Sequence, residues 1–245
     1  AILLLIAPLT AYLPIASMAG ILLLVAYNLI DTHHIKTIIR TSRPEAVVLA
    51  ITFLSTLFVE LEFAIYVGVL LSLLLYLNRT SHPHFVIMAP DPDSNRRSFI
   101  NIQHKPLPEC PQLKVIRIDG SLFFGAVNHV AEMINNLFKQ NPEQCHILLV
   151  GSGINFIDVA GCEMLANEAH RLHVTGGKLY LCGLKGEVTD VLKRGGYMKI
   201  IGKDNIFRSK LDAVKSIVPR LDPQRCRYCK VRIFNECEQM PREQA

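Results

Sequence analysis

Apolar residues follow two different patterns along this chain, and the change comes near residue 80. Residues 1–30 are one apolar stretch with no charged side chain before Asp31, broken by Pro8 and Pro14. About 20 helical residues cross a hydrocarbon core of roughly 30 Å. One full span therefore fits near 11–30, led by the tail of another around 1–8. Proline is tolerated inside membrane helices, especially where transporter helices break. A second apolar stretch, 46–77, is interrupted only by the VELEF at 59–63. One continuous helix would be too long for the core and would hold Glu60 and Glu62 in mid-membrane at high cost. A hairpin removes both problems, with spans near 45–59 and 62–78 and a turn at Glu60 to Glu62. The first of these is short, so it must tilt, break or be shielded by protein.

Beyond residue 80 the apolar positions take up the periods of a water-facing domain. Residues 81–111 are rich in proline and polar side chains, with short strand-like runs at 85–88 and 98–103. Strand patterns follow at 113–119, 146–150 and 176–183, with a short last one at 205–207. Val127, Val130, Ile134 and Leu137 step by three and four, as do Cys162, Leu165, Ala169 and Leu172, so each set lines one helix face. Further helices are expected at 186–194, ending at Gly195 and Gly196, and at 209–218, ended by Pro219. The run HILLV is apolar throughout, as in a sheet covered on both faces. Strands alternating with helices predict an α/β domain with a largely parallel sheet over 80–219, its core at 112–219. Residues 220–245 form a cysteine-containing tail.

Charge orients this layout. The formal net charge of +5 lies entirely beyond residue 79, because residues 1–79 hold four basic side chains (Lys36, Arg40, Arg43, Arg79) and four acidic ones (Asp31, Glu45, Glu60, Glu62). The excess is interspersed, which speaks for a solvated surface near anionic lipid and against nucleic acid. The loop 31–45 and the exit at 78–84 are basic and the hairpin tip is acidic. The positive-inside rule places both basic ends, and the α/β domain, in the cytoplasm. Seven cysteines without the spacing of a small secreted domain agree with a reducing compartment. The chain begins without Met or a basic leader and reads as a piece of something longer.

Little of this looks like catalysis. No nucleophile–base pair, paired carboxylates or phosphate loop stands at convincing spacing. The GSG at 151–153 lacks both the dinucleotide spacing and a Walker lysine, so a strand-to-helix turn is the better reading. His170 and His173 can reach one metal from one helix, although a solvated face explains them more simply. Glu60 and Glu62 read as interface markers at a hairpin tip rather than an ion-coupling pair. The tail is the exception. Cys226 and Cys229 are C-x2-C, a good bite for one metal, and Cys237 is a third thiol eight residues on. Zinc would need a fourth ligand, and an iron–sulfur cluster one from outside the tail. Three reduced thiols on a partly ordered tail is the plain alternative, and no cofactor is required for the rest of the chain.

The sequence INFIDVAGCEML, 154–165, has the outline of a switch: strand, turn, acid, then a helix opening near Gly161. Taken together, VIRIDGSLFFGAVNHV, NFIDVAGCEML and GGKLYLCGLKGEV, placed after a membrane hairpin, resemble the C-terminal part of the SulP family of anion permeases. The specific piece is RIDGSLFFGA. The spans APLTAYLPIASMAGILLLVAYNLID and EFAIYVGVLLSLLLYLNRTSHP are similar to that family's last membrane segments, so the resemblance covers residues 1 to about 219.

The resemblance implies a bacterial inner-membrane secondary transporter for inorganic anions such as sulfate or bicarbonate. It implies a homodimer of fourteen-segment chains, each ending in a cytoplasmic STAS domain able to dock protein partners. The anion would sit between half-helices of the third and tenth segments, which this chain lacks, so none of its residues is assigned to substrate. A membrane-anchored STAS signalling module without transport is the other reading. In the signalling relatives of STAS the turn carries a phosphorylatable serine between an Asp and a Gly. Here Asp158 and Gly161 enclose Val159 and Ala160, and neither has a hydroxyl. Asp158 is then expected to cap the following helix and Gly161 to allow close packing.

Overall fold

The computed structural model describes residues 14–94, 98–103 and 105–240. The chain separates into two compact units, Ala1–Leu75 and Tyr76–Ala245. The span tail expected around 1–8 lies outside the described residues.

The first unit is helical. Helix α1 is Ile15–Leu29, α2 is Thr32–Thr41, α3 is Arg43–Phe58, and α4, Leu61–Thr80, begins within it. Among the described residues two stretches, Ile15–Thr41 and Leu61–Thr80, are long and apolar enough to cross a membrane. Helix α3 has 16 residues and a length of roughly 24 Å, so it is short for the hydrocarbon core. Its first turn holds Pro44, where a missing N–H costs nothing. The pair α3 and α4 meets through small residues, as membrane helices do when lipid tails compete for every apolar contact. Ala64 is fully buried, and a Cβ on Gly68 would stand 3.1 Å from Thr52 Cγ2. The Thr52 hydroxyl is satisfied by the Val48 carbonyl at 2.7 Å.

The stretch 31–45 differs from expectation. It holds a helix, α2, and not a plain loop. The Asp31 carboxylate accepts from His34 N at 2.9 Å and supplies the cap. Ile35, Ile38 and Ile39 fall on one side at helical spacing and His34, Lys36 and Arg40 on others, the composition of a helix lying in a membrane interface.

The second unit is a covered mixed sheet. Its strands are β1 (His84–Pro90), β2 (Phe99–Asn101), β3 (Leu113–Leu122), β4 (His146–Val150), β5 (Ile154–Ile157), β6 (Lys178–Cys182) and β7 (Ile206–Phe207). The order is β2-β1-β3-β4-β6-β7, with β5 paired to β3 outside that path. Strand β1 runs antiparallel to both of its neighbours, β2 and β3, and the remaining pairings are parallel. Intervening helices supply the crossovers that parallel strands require: α5 (Val127–Gln140), α6 (Val159–Val174), α7 (Gly186–Arg194) and α8 (Tyr197–Ile201), and α9 (Lys210–Ile217) follows the last strand.

Alternation along the strands sends side chains to two separate cores. Ile116, Ile118, Ile147, Leu149, Leu179 and Leu181 meet α5 to α8 on one face. Leu113, Val115, Leu148, Val150, Tyr180 and Cys182 meet α9 on the other. The tail also belongs to this second core, which differs from the partly ordered segment expected. Beyond a single 3-10 turn at Val218–Arg220, helix α10 (Pro223–Tyr228) and a turn at Asn235–Gln239 fold back onto the sheet. They bury Leu221, Cys226 and Phe234 there. Burying a ring the size of Phe234 contributes roughly 1.5–3 kcal/mol toward holding the tail on the sheet.

Strand β3 pairs with β1 along one edge and serves two partners, β4 and β5, along the other. Its first half, to Arg117, pairs with β4, and its end pairs with β5 from Gly120 to Leu122, with an irregularity between those two residues. Gly120 makes that change possible at φ 148°, where a Cβ would meet Pro83. The end of β3 thus lies beside the turn that leads from β5 into α6.

Candidate functional site

The turn between β5 and α6 is held by one carboxylate. Asp158 Oδ1 accepts from Gly161 N at 2.8 Å, and Oδ2 accepts from Phe124 N at 2.9 Å. Asp158 N donates to the Leu122 carbonyl at 3.1 Å. The residue therefore caps α6 and ties the helix to the loop leaving β3. The carboxylate sits at the positive end of the α6 dipole, where its charge is favourable. Gly161 packs directly on the Leu122 carbonyl, so closely that a Cβ would overlap it. The sequence reading had the cap and the glycine. It missed the bond from Phe124, because 34 residues separate the partners and no local pattern links them.

The positions a phosphorylatable residue would occupy are Val159 and Ala160, with Val159 on the surface. Around them Phe124, Phe156 and Val159 are 74%, 56% and 62% exposed, an apolar patch on the otherwise polar rim of the turn. Beside it the Lys185 ammonium donates to Asn155 Oδ1. Ser152 is exposed in the GSG turn, which joins β4 to β5 and not a strand to a helix. Gly151 N donates to the Cys182 carbonyl, and Gly153 O accepts from Gly120 N. These backbone groups are committed to the sheet and do not form a phosphate cradle.

The remaining candidates divide. Glu60 and Glu62 are exposed, and Glu62 sits in the first turn of α4, where a carboxylate suits the helix dipole. His170 and His173 are both exposed on α6. Cys226, Cys229 and Cys237, by contrast, line one small cavity of about 10 Å³, and Cys110 lines it too. Cys110 comes from the segment before β3 and was not grouped with the tail by sequence. Gln112, nearly fully buried, fastens the two segments together. Its Nε2 donates to the Asp222 carbonyl at 3.2 Å and to Cys226 Sγ at 3.3 Å, and its Oε1 accepts from Asp222 N at 3.0 Å. Arg232, at φ 37°, donates to the Cys237 carbonyl at 2.6 Å and to those of Met240 and Cys226 at 3.2 Å. Burial pushes the Cys110 thiol up to about 12 and also raises those of Cys226 and Cys237. All the described cysteines are free thiols. Among the described residues no three His, Cys, Asp or Glu side chains stand in coordinating geometry.

Comparison with known proteins agrees with the geometry. The STAS domain family model matches residues 104–213, and the sulfate permease family model matches residues 1–52. A putative sulfate transporter, YvdB, of Bacillus subtilis (strain 168) is 25% identical over 206 residues, 84% of this chain and 37% of the relative. High affinity sulfate transporter 2 of Stylosanthes hamata is 24% identical over 228 residues, 89% of this chain and 34% of that protein. Among solved structures, the murine Solute Carrier 26 family member A9 anion transporter, in its inward-facing state, superposes with a TM-score of 0.68 at 21% identity. That match covers 77% of this chain and 30% of the transporter. The chain thus spans about a third of the length of these relatives. Helical segments that match the permease family model are followed in one chain by an α/β STAS domain, the order of parts seen in these relatives. The chain is thus similar to the sulfate permease family over residues 1–52 and to the STAS domain family over residues 104–213.

Proposed function

We propose that the chain is the C-terminal part of a secondary active transporter for inorganic anions of the sulfate or bicarbonate type. The observation that carries this reading is the order of parts: permease-family membrane helices lead into a STAS domain within one chain. The transporter resides in a bacterial inner membrane as a homodimer, and the STAS domain faces the cytoplasm, as the basic residues of α2 and Arg79 favour. The STAS domain serves as a docking surface for a cytoplasmic protein, because the turn that would carry a phosphoryl group has Val159 and Ala160 in its place. The substrate is held by half-helices outside this chain, so the described residues contribute gating and regulation and no catalytic group. Glu60, between α3 and α4, and Glu62, in the first turn of α4, mark the outer interface.

The test is uptake of labelled sulfate, bicarbonate and fumarate by cells expressing the complete reading frame. Accumulation of sulfate or bicarbonate above vector control is expected. Uptake of fumarate alone would move the substrate class to dicarboxylates, and no uptake of any of the three would favour a membrane-anchored interaction module.

A further inference from the structure

We infer that Cys110, Cys226, Cys229 and Cys237 together form a closed tetrathiolate site for one zinc ion that fastens the C-terminal tail to the STAS sheet. Four of the chain's seven cysteines converge on one cavity, from two segments far apart in sequence. The cavity, about 10 Å³, has the room of a single water or ion. Sequence alone supplies three thiols in the tail and no fourth ligand. The fold supplies the fourth as Cys110, brought in by the segment that precedes β3.

The donor set selects the metal. Four thiolates are soft ligands that close a tetrahedral shell, the arrangement of structural zinc, with no position left open for a substrate. The surroundings suit such a shell. Gln112 donates to Cys226 Sγ, the kind of outer hydrogen bond that orients a thiolate and spreads its charge. The Arg232 guanidinium bonds the carbonyls of both Cys226 and Cys237. It places a permanent positive charge beside a group that becomes an anion on binding. Binding would replace four S–H protons with four Zn–S bonds, releasing four protons to solvent and leaving a complex of net charge −2, with no oxidation or reduction. The thiols are not in coordinating geometry as they stand, so binding requires the half-buried Cys229 and Cys237 to reorient about their χ1 bonds. The tail gives a reason for such a staple. Its regular structure is α10, of six residues, and one 3-10 turn of five, too little to persist on propensity alone.

The test is metal analysis of the whole 245-residue chain, purified in detergent under reducing conditions from zinc-supplemented cells. About one zinc per chain is expected. Cys110→Ser should lower the zinc content at least tenfold, while Cys145→Ser, outside the cavity, should leave it unchanged. Cobalt(II) loaded in place of zinc should give the visible bands of a tetrahedral ion with strong thiolate charge-transfer absorption. This spectrum decides the matter even where Cys110→Ser fails to fold. The proposal is overturned by less than about a tenth of an equivalent of zinc, by iron with acid-labile sulfide in its place, by a disulfide among the four, or by a cobalt spectrum without four thiolates. Transport is not read in any of these measurements, so failure here leaves the permease assignment intact.

Discussion

Asp158 shows how one side chain can keep the shape of a switch without its chemistry. Its two oxygens are spent on Gly161 N and Phe124 N, one on the helix it caps and one on the loop after β3. A phosphoryl acceptor is absent from the two positions that follow. Asp158→Ala should remove the cap at a cost of about 0.5–2 kcal/mol and free the 123–126 loop from α6. Hydrogen exchange followed by mass spectrometry checks this directly: the amides of 122–126 and 159–162 should exchange faster than in the parent chain. Unchanged exchange at both segments would mean that Asp158 is not what joins them. Asp158→Asn keeps one acceptor and should fall between the two.

At the scale of elements, the pair β4 and β6 carries a buried electrostatic cost that pH exposes. His146 opens β4 and stacks on Tyr180 of β6 with ring centroids 6.1 Å apart. His146 Nδ1 and the Tyr180 hydroxyl are buried without a hydrogen-bond partner. Burial first, and the charge of Lys178 second, lower the His146 pKa below its ordinary 6.5. The folded state therefore holds this imidazole neutral while the unfolded chain protonates it. Stability from this group is complete above 6.5 and is lost as pH falls from there to the folded value. Urea unfolding of the parent chain should show a falling midpoint over that window, and His146→Leu should flatten this part of the profile. An identical slope in both would show that His146 is not the source. The same scale explains α2. Its cap and its isoleucine spacing are local features, legible in the sequence once 31–45 is read for period as well as for charge.

For the whole molecule the order of parts matters most, because a permease-family helical segment runs into a STAS domain. The proposed topology, with an acidic tip outside and both basic ends inside, predicts the outcome of cysteine labelling in intact cells. A membrane-impermeant thiol reagent should modify Glu60→Cys from outside and should reach Lys203→Cys only after permeabilisation. The reverse pattern would invert the topology and move the STAS domain to the other side of the membrane.

The sequence by itself determined the parts of this protein that rest on local period and composition. These are the apolar stretches, the α/β alternation, the two helix faces at Val127 to Leu137 and Cys162 to Leu172, and the missing hydroxyls at Val159 and Ala160. Each depends on neighbours three to four positions apart, or on a single residue type, and so can be read in one dimension. Only the tertiary structure decided what depends on distant segments meeting. It split β3 between β4 and β5, joined Phe124 to Asp158, folded the tail into the second core, and set Cys110 beside the tail cysteines. Such contacts are selected by burial of apolar surface across the whole domain, and no short window of sequence contains both partners.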